Sequence, residues 1–313
     1  MITSRHHAMS LTAVLLALLL GVVLGSGLLS GPVMAGLQSD KQESRAQIDA
    51  LHQQQQALNE RLSTANNFDA TMSARMVHDM LSGKSSVIFR TPDAADEDVE
   101  SVARIIGQAG GIVTGTVALT EQFIDGNAEE KLRAVVESGI VPAGAQLSTT
   151  LVDQGAQTGD LLGIALLINK DPAVAPADDA QRETVLAALR DTGFITYTPQ
   201  RFGAATSAVV ITGGALADDA GSAGLNVAQF AAALAPHGAA TVLAGRDGCA
   251  TGTAAVALAR ADSALGGPIS TVDDIDLESG RITTVMALHS LIDGSRPGQY
   301  GIGHGASSIT LAQ

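Results

Sequence analysis

Residues 85–119 read SSVIFR, TPDAADEDVESVARIIGQAGG and IVTGTVAL, and this stretch decides the fold. Two apolar runs, Ser85–Arg90 and Ile112–Leu119, have the length of buried strands. The segment between them begins with Thr-Pro-Asp and ends at paired glycines, as a helix would. Its apolar residues recur at helical spacing: Val99, Val102, Ile105 and Ile106. Strand, helix and strand in this order predict a parallel β-α-β unit.

The same alternation continues to the end of the chain. Further helices are predicted over 129–137, 147–167 (interrupted near Gly159), 179–192, 226–235 and 282–292, and strands over 194–198, 208–212, 241–244, 254–259 and 269–272. Residues 84–313 are long enough for one sizeable hydrophobic core. We therefore expect an α/β domain built on a doubly wound, mostly parallel sheet.

The N-terminal region is apolar and uncharged. No Asp, Glu, Lys or Arg lies between Arg5 and Asp40. As a helix, residues 8–29 would measure about 33 Å, enough to cross a bilayer core. This predicts a short cytoplasmic tail over 1–7, a transmembrane helix or signal anchor over 8–29, and an extracytoplasmic domain. A cleaved signal peptide is the alternative, because residues 33–35 resemble a cleavage site.

A heptad pattern follows the apolar segment and predicts a coiled-coil stalk over residues 37–66. Its seam comprises Leu37, Lys41, Ser44, Ile48, Leu51, Gln55, Leu58, Leu62 and Ala65. Small residues also recur every fourth position over 13–25, a pattern that lets membrane helices approach closely. A homo-oligomer, or a helical membrane partner, through residues 13–25 and 37–65 is expected. The alternative is an amphipathic helix packed on the protein's own domain.

Charge excludes one class of partner. The 313 residues carry a formal net charge of −14, and from Lys84 onward 13 Lys and Arg face 26 Asp and Glu. Such a domain repels the phosphate backbone, so nucleic-acid binding is not expected. The single cysteine, Cys249, rules out an intramolecular disulfide framework.

Three strand-to-helix turns line the usual ligand crevice of such a sheet. They are residues 90–100, 212–219 and 270–276, and all are rich in carboxylates. Carboxylates at helix starts complement the helix dipole, but they repel a phosphate. Asp273, Asp274 and Asp276 could bind a hard cation or cap the last helix. No motif of a nucleotide cofactor or a catalytic centre follows any strand, so neither a cofactor nor an enzymatic activity is expected.

Soft metal ligands are few. Met72, Met76 and Met80 lie at i, i+4 and i+8 and would share one helical face. Thioether and thiolate groups select Cu(I), which makes these methionines and Cys249 the candidate metal ligands. The competing interpretation for all four is hydrophobic packing.

Several strings resemble one family over the whole chain. They include residues 1–8 (MITSRHHA), 21–27 (GVVLGSG), 87–94 (VIFRTPDA), 159–167 (GDLLGIALL), 192–197 (TGFITY) and 272–276 (VDDID). The chain is similar to the mycobacterial copper transport protein B (MctB) family.

The resemblance implies a pore-forming protein of the cell envelope that exports copper, with the outer membrane as its location. In related actinobacteria the family is also linked to a membrane-anchored coiled-coil partner that controls a peptidoglycan hydrolase. An adaptor for a cell-wall hydrolase or its regulator is therefore the alternative function. The resemblance carries no established copper-ligand motif.

Overall fold

The computed structural model describes residues 3–25, 30–124, 128–198, 201–217 and 219–311. The chain divides into two compact units, Met1–Ala65 and Asn66–Gln313. The first unit is helical in its described part, and the second contains the sheet. The long helix α2 contributes its last eleven residues to the second unit.

The described helices are α1 Thr3–Gly25, α2 Ser30–Met76, α3 Asp96–Gln108, α4 Glu121–Ile124, α5 Glu129–Glu137, α6 Gln154–Leu166, α7 Asp179–Asp191, α8 Ala223–Leu234, α9 Ala255–Ala261, α10 Ser263–Gly266 and α11 Glu278–Ile292. The described strands are β1 Ser85–Arg90, β2 Ile112–Leu119, β3 Ile195–Thr196, β4 Ser207–Ile211, β5 Ala240–Ala244, β6 Ser270–Val272 and β7 Gln299–Tyr300. These elements confirm the predicted alternation of strands and helices.

The strands form one sheet in the order β3-β2-β1-β4-β5-β6-β7. Every neighbouring pair is parallel except β2 and β3, which run antiparallel. The α/β prediction with a mostly parallel sheet is therefore confirmed. The order of the strands reverses at β1, which lies between β2 and β4. Ligands of such sheets bind at this switch point, beyond the carboxyl ends of the strands.

Helices cover both faces of the sheet. The alternating side chains of β1 show this directly, because Val87 and Phe89 enter one core cluster and Ile88 enters the other. The first cluster contains the buried faces of α6, α7 and α8. The second contains those of α3 and α11, together with Val77 and Leu81, which follow the end of α2. Two cores of this kind are what a doubly wound sheet requires.

Two local predictions were wrong. Residues 254–259 were expected to form a strand, but they begin α9. An apolar run of this length suits either element, and its alanines favour the helix. The helix predicted over 147–167 is α6, which begins only at Gln154 and continues through Gly159 without a break. This glycine serves helix contact, since a Cβ on it would overlap the carbonyl oxygen of Phe230 in α8.

The N-terminal helices differ in part from expectation. Helix α2 starts at Ser30 and passes through Pro32, Gly36 and Asn66 without interruption. Over the described part of the chain, no helix combines the length and the apolarity that crossing a membrane demands. The predicted span over 8–29 is not confirmed, and its residues 26–29 lie outside the described residues. The stalk is helical as predicted, whereas its pairing as a coiled coil remains a prediction.

Candidate functional site

A carboxylate of the protein itself lies at the switch point of the sheet. Asp93 lies just beyond β1, and its Oδ2 accepts a hydrogen bond of 3.2 Å from the backbone N–H of Gly213, just beyond β4. Its Oδ1 accepts one from the hydroxyl of Thr91. A side chain at Gly213 would overlap this carboxylate, so the glycine permits the close approach. Asp93 thus places a negative charge just beyond the carboxyl ends of β1 and β4, where it repels a phosphate.

A buried cluster of ion pairs lies beside this position. Asp98 in α3 is fully buried, and its Oδ1 accepts a hydrogen bond of 2.9 Å from Arg281 Nη2 in α11. Arg246, just beyond β5, places its Nε 2.6 Å from Asp98 Oδ2, without the alignment of a hydrogen bond. Glu278 accepts from Arg104 at 2.8 and 2.9 Å. Each buried charge therefore has a counter-charge, which is the condition for keeping charges inside a protein.

The three aspartates after β6 do not converge on one point. Asp273 lies 2.5 Å from Arg260 Nη1, and its Oδ1 accepts from the backbone of Ile302 and Gly303. Asp276 accepts from the backbone N–H of Asp247. Asp274 Oδ1 is buried without a hydrogen-bond partner. Separate partners of this kind do not make a cation site. Among the described residues, no group of three or more His, Cys, Asp or Glu could hold a metal ion.

The last helix is capped from an unexpected place. The residue before α11, Leu277, makes no side-chain cap, so the predicted capping by Asp273, Asp274 or Asp276 was wrong. The first N–H of the helix, that of Glu278, instead donates to the side-chain oxygen of Asn66 at 2.6 Å. Asn66, in the last turns of α2, thereby contacts the first residue of α11.

Asp274 holds its proton more tightly than an ordinary aspartate. Burial raises the pKa of its carboxyl to about 6, and the negative charges of Asp273 and Asp276 raise it further in the same direction. The side chain is almost inaccessible to water. Its ionised form is therefore costly, since a buried charge needs partners that Asp274 Oδ1 lacks.

The candidate soft ligands lie in different environments. Helix α2 ends at Met76, so Met80 falls in the following turns and the predicted common face stops after Met76. Met76 is 46% exposed, while Met80 packs against the core cluster of α3 and α11. Cys249 is fully buried in the cluster on the opposite face of the sheet, where burial raises the pKa of its thiol well above the usual range. The structure brings Met72 and Met76 onto one helix and separates Cys249 from them.

One buried pair was missed by sequence reasoning. A hydrogen bond of 2.7 Å joins Asp160 Oδ1 in α6 to His237 Nε2. His237 follows α8 in the chain. His237 lines a cavity of about 600 Å³ between residues 142–146 and 173–178. The two residues are 77 positions apart, so no local spacing could have indicated the pair. The Asp98–Arg281 pair, 183 positions apart, escaped for the same reason.

These features define a doubly wound α/β protein with a carboxylate at the switch point of its sheet, preceded in the chain by the helices α1 and α2. The chain belongs to the family described as copper transport outer membrane protein, MctB, which matches residues 1–311.

Relatives called copper transporter MctB match the chain over its full length. Those of Mycobacterium tuberculosis strain H37Rv and Mycobacterium bovis are 60% identical over 314 residues, covering 100% of both chains. The relative of Mycobacterium leprae is 60% identical over 317 residues with the same coverage. The family resemblance expected from the sequence is confirmed.

Proposed function

We propose that this protein takes part in copper transport across the cell envelope. The observation that carries the proposal is the full-length 60% identity to proteins named copper transporters, with no large insertion or missing segment. Copper in this proposal is the transported ion and not a resident cofactor.

The N-terminal apolar segment supplies the membrane contact in this proposal. The leucines and valines of α1 are exposed in the described part of the helix, from Leu11 to Val23. A row of exposed aliphatic side chains of this length is costly in water and stable in lipid. Residues 8–29 are proposed to attach the protein to an envelope membrane, with the domain from Asn66 onward outside the cytoplasm.

Copper contact is proposed for Met72, Met76 and Met80, with Met76 the most accessible of the three. Replacing all three by leucine should weaken Cu(I) binding while leaving the fold intact, because leucine keeps the volume and removes the sulfur. Met286→Leu is the control, since this methionine packs in the core near Thr310. Cys249→Ala tests the remaining candidate separately. An unchanged Cu(I) affinity in both variants would remove these residues as ligands.

The transport proposal is tested by exchanging residues 8–29 for an unrelated apolar segment of equal length. If the protein conducts copper, this segment must take part, so cells carrying the exchange should accumulate copper and lose copper resistance. The amount of protein in the membrane fraction is the control for attachment. Full resistance with an equal amount of membrane-bound protein would contradict a direct role in conduction.

The exposed seam of α2 favours a second candidate, an adaptor for a cell-wall hydrolase or its regulator. An adaptor needs some anchor and the seam, but not a particular span. The double variant Leu51→Asp with Leu58→Asp should then impair cell separation, whereas the exchange of residues 8–29 should not. Transport therefore predicts that the exchange of residues 8–29 is the harmful change. The adaptor function predicts instead that the double variant Leu51→Asp with Leu58→Asp is harmful.

A further inference from the structure

One face of α2 carries an uncovered apolar row. Four aliphatic side chains at heptad spacing, Ile48, Leu51, Leu58 and Leu62, are between 50% and 63% exposed. The helix is continuous through all four, so their alignment along one face is set by its geometry. Aliphatic rows exposed over four turns mark a surface that another element covers.

We infer that this row is covered by the same row of a second copy of the chain, in a parallel, in-register, two-stranded coiled coil over residues 41–65. The inference concerns assembly and does not depend on the copper function proposed above.

The residue types at the two core positions favour two parallel strands. In heptad notation, positions a are Lys41, Ile48, Gln55 and Leu62, and positions d are Ser44, Leu51, Leu58 and Ala65. The central heptad combines the β-branched Ile48 at a with Leu51 at d. This combination suits a parallel dimer, because side chains at a and d pack at different angles against the partner helix.

Gln55 sets the register of the pair. When two copies align in parallel and in register, each core residue faces its own equivalent, so Gln55 meets Gln55 and the two amides can bond to each other. A shift by one heptad would place this amide against Ile48 or Leu62 and bury it without a partner. A single polar residue at an a position fixes the register of other coiled coils in this way.

Charge opposes the pairing of two copies at this surface only at Lys41, an a position at the start of the segment that would face its own equivalent. Between Lys41 and Ala65 the helix carries three basic residues (Lys41, Arg45 and Arg61) and three acidic residues (Glu43, Asp49 and Glu60). The segment is therefore neutral, whereas the domain from Lys84 onward is strongly acidic. Two copies repel each other over their whole domains but along the seam only at Lys41, which favours the seam as the place of contact.

The contact is small. Four aliphatic residues a side cover much less than the roughly 800 Å² per partner of a standard stable complex. We expect a weak dimer in dilute solution and an extensive one where copies share a membrane surface, since attachment raises their effective concentration. The assay therefore uses the full chain in membrane vesicles.

Cysteine cross-linking tests the arrangement. The native thiol, Cys249, is buried, so a cysteine introduced on α2 is the reactive one. Gln55→Cys should form disulfide-linked dimers under mild oxidation, because equivalent a positions face each other. Gln53→Cys lies two residues away on the outer face of the helix and should form at least tenfold less disulfide-linked dimer. Equal yields from the two variants would overturn the inference.

Two further outcomes would also overturn it. Cross-linking of a Ser44→Cys chain to a Gln55→Cys chain, without cross-linking of either variant to itself, would show antiparallel pairing. Cross-linking of Gln55→Cys to another polypeptide alone would show that a different chain covers the seam.

Added charge provides the second measurement. On the Gln55→Cys background, Leu51→Asp with Leu58→Asp should lower the dimer yield at least tenfold. Ala46→Asp with Gln53→Asp adds the same charge on the opposite face and should leave the yield unchanged. A yield that is insensitive to the seam substitutions would contradict the proposed packing.

Discussion

The side chain of Asp93 places a negative charge at the switch point of the sheet. Gly213 N–H and the Thr91 hydroxyl both donate to Asp93 and hold its carboxylate beyond the carboxyl ends of β1 and β4. The neighbouring carboxylates add to this negative charge. An anionic ligand such as a phosphate is therefore not expected at the switch point.

Asp274 gives the fold a dependence on pH. Its pKa is about 6 in the folded chain, against an ordinary value of 3.8 that we assign to the unfolded chain. The folded state binds this proton more tightly, so the contribution of Asp274 to stability is fully present below about pH 4. It is lost as the pH rises through about 6.

We expect the stability of wild type relative to Asp274→Asn to fall as the pH rises. The difference in their unfolding free energies should change by about 1–3 kcal/mol between pH 4 and pH 8. Urea unfolding at several pH values measures this difference. Asp274→Ala should show the same change with pH, although its constant cost differs. A difference that stays constant over this range would show that Asp274 does not titrate as described.

At the scale of elements, the contact between α6 and α8 depends on glycine. Side chains at Gly155 and Gly159 would overlap the backbone oxygens of Asn226 and Phe230. The two helices therefore approach backbone to backbone, which only glycine permits. This explains why a glycine expected to interrupt the helix is found within it.

Gly159→Ala should destabilise the domain by about 2–4 kcal/mol, because the overlap is with backbone and neither helix can move alone. Gly107→Ala is the matched control, since a Cβ at Gly107 in α3 meets nothing within 4 Å. That variant should raise stability by about 0.5–1 kcal/mol through the higher helix propensity of alanine. Thermal and denaturant unfolding compare the two. Equal effects would contradict the close approach.

Sequence reasoning found the elements that their own residues specify. The buried face of α3 can be predicted from the helical spacing of its apolar residues, which are Val99, Val102, Ile105 and Ile106. The ends of helices and the roles of carboxylates were less accessible. Asn66 caps Glu278 across 212 positions, and the fates of Asp273, Asp274 and Asp276 depend on partners contributed by other loops. Such long-range pairs follow from the topology and leave no local pattern.

At the scale of the whole molecule, the second unit begins well before the first strand. Val77 and Leu81 are fully buried beside α3 and α11, and Ser73 Oγ donates a hydrogen bond of 2.9 Å to Gln108 Oε1. These contacts belong to the residues that precede Lys84. The segment from Ser73 to Leu81, which includes the end of α2, is thus part of the domain's core.

A fragment of residues 66–313 should fold without detergent and resist urea better than one of residues 84–313. The shorter fragment loses the burial of two aliphatic side chains, worth about 3 kcal/mol or more. Circular dichroism should show mixed helix and strand for the longer fragment. Equal unfolding midpoints would show that residues 66–83 add nothing to the core.

The edges of the sheet influence how readily copies of the domain aggregate when they lie close together. The outer strands β3 and β7 are two residues long each, and Gly301 and Ser308 fold back over β7, with Gly301 N–H donating to the Ser308 carbonyl at 3.0 Å. Unpaired strand edges are templates on which further chains add and from which insoluble aggregates grow. Edges this short recruit further chains poorly, and β7 is in addition covered by the segment that contains Ser308. We therefore expect little aggregation through the sheet where copies of the domain lie close together.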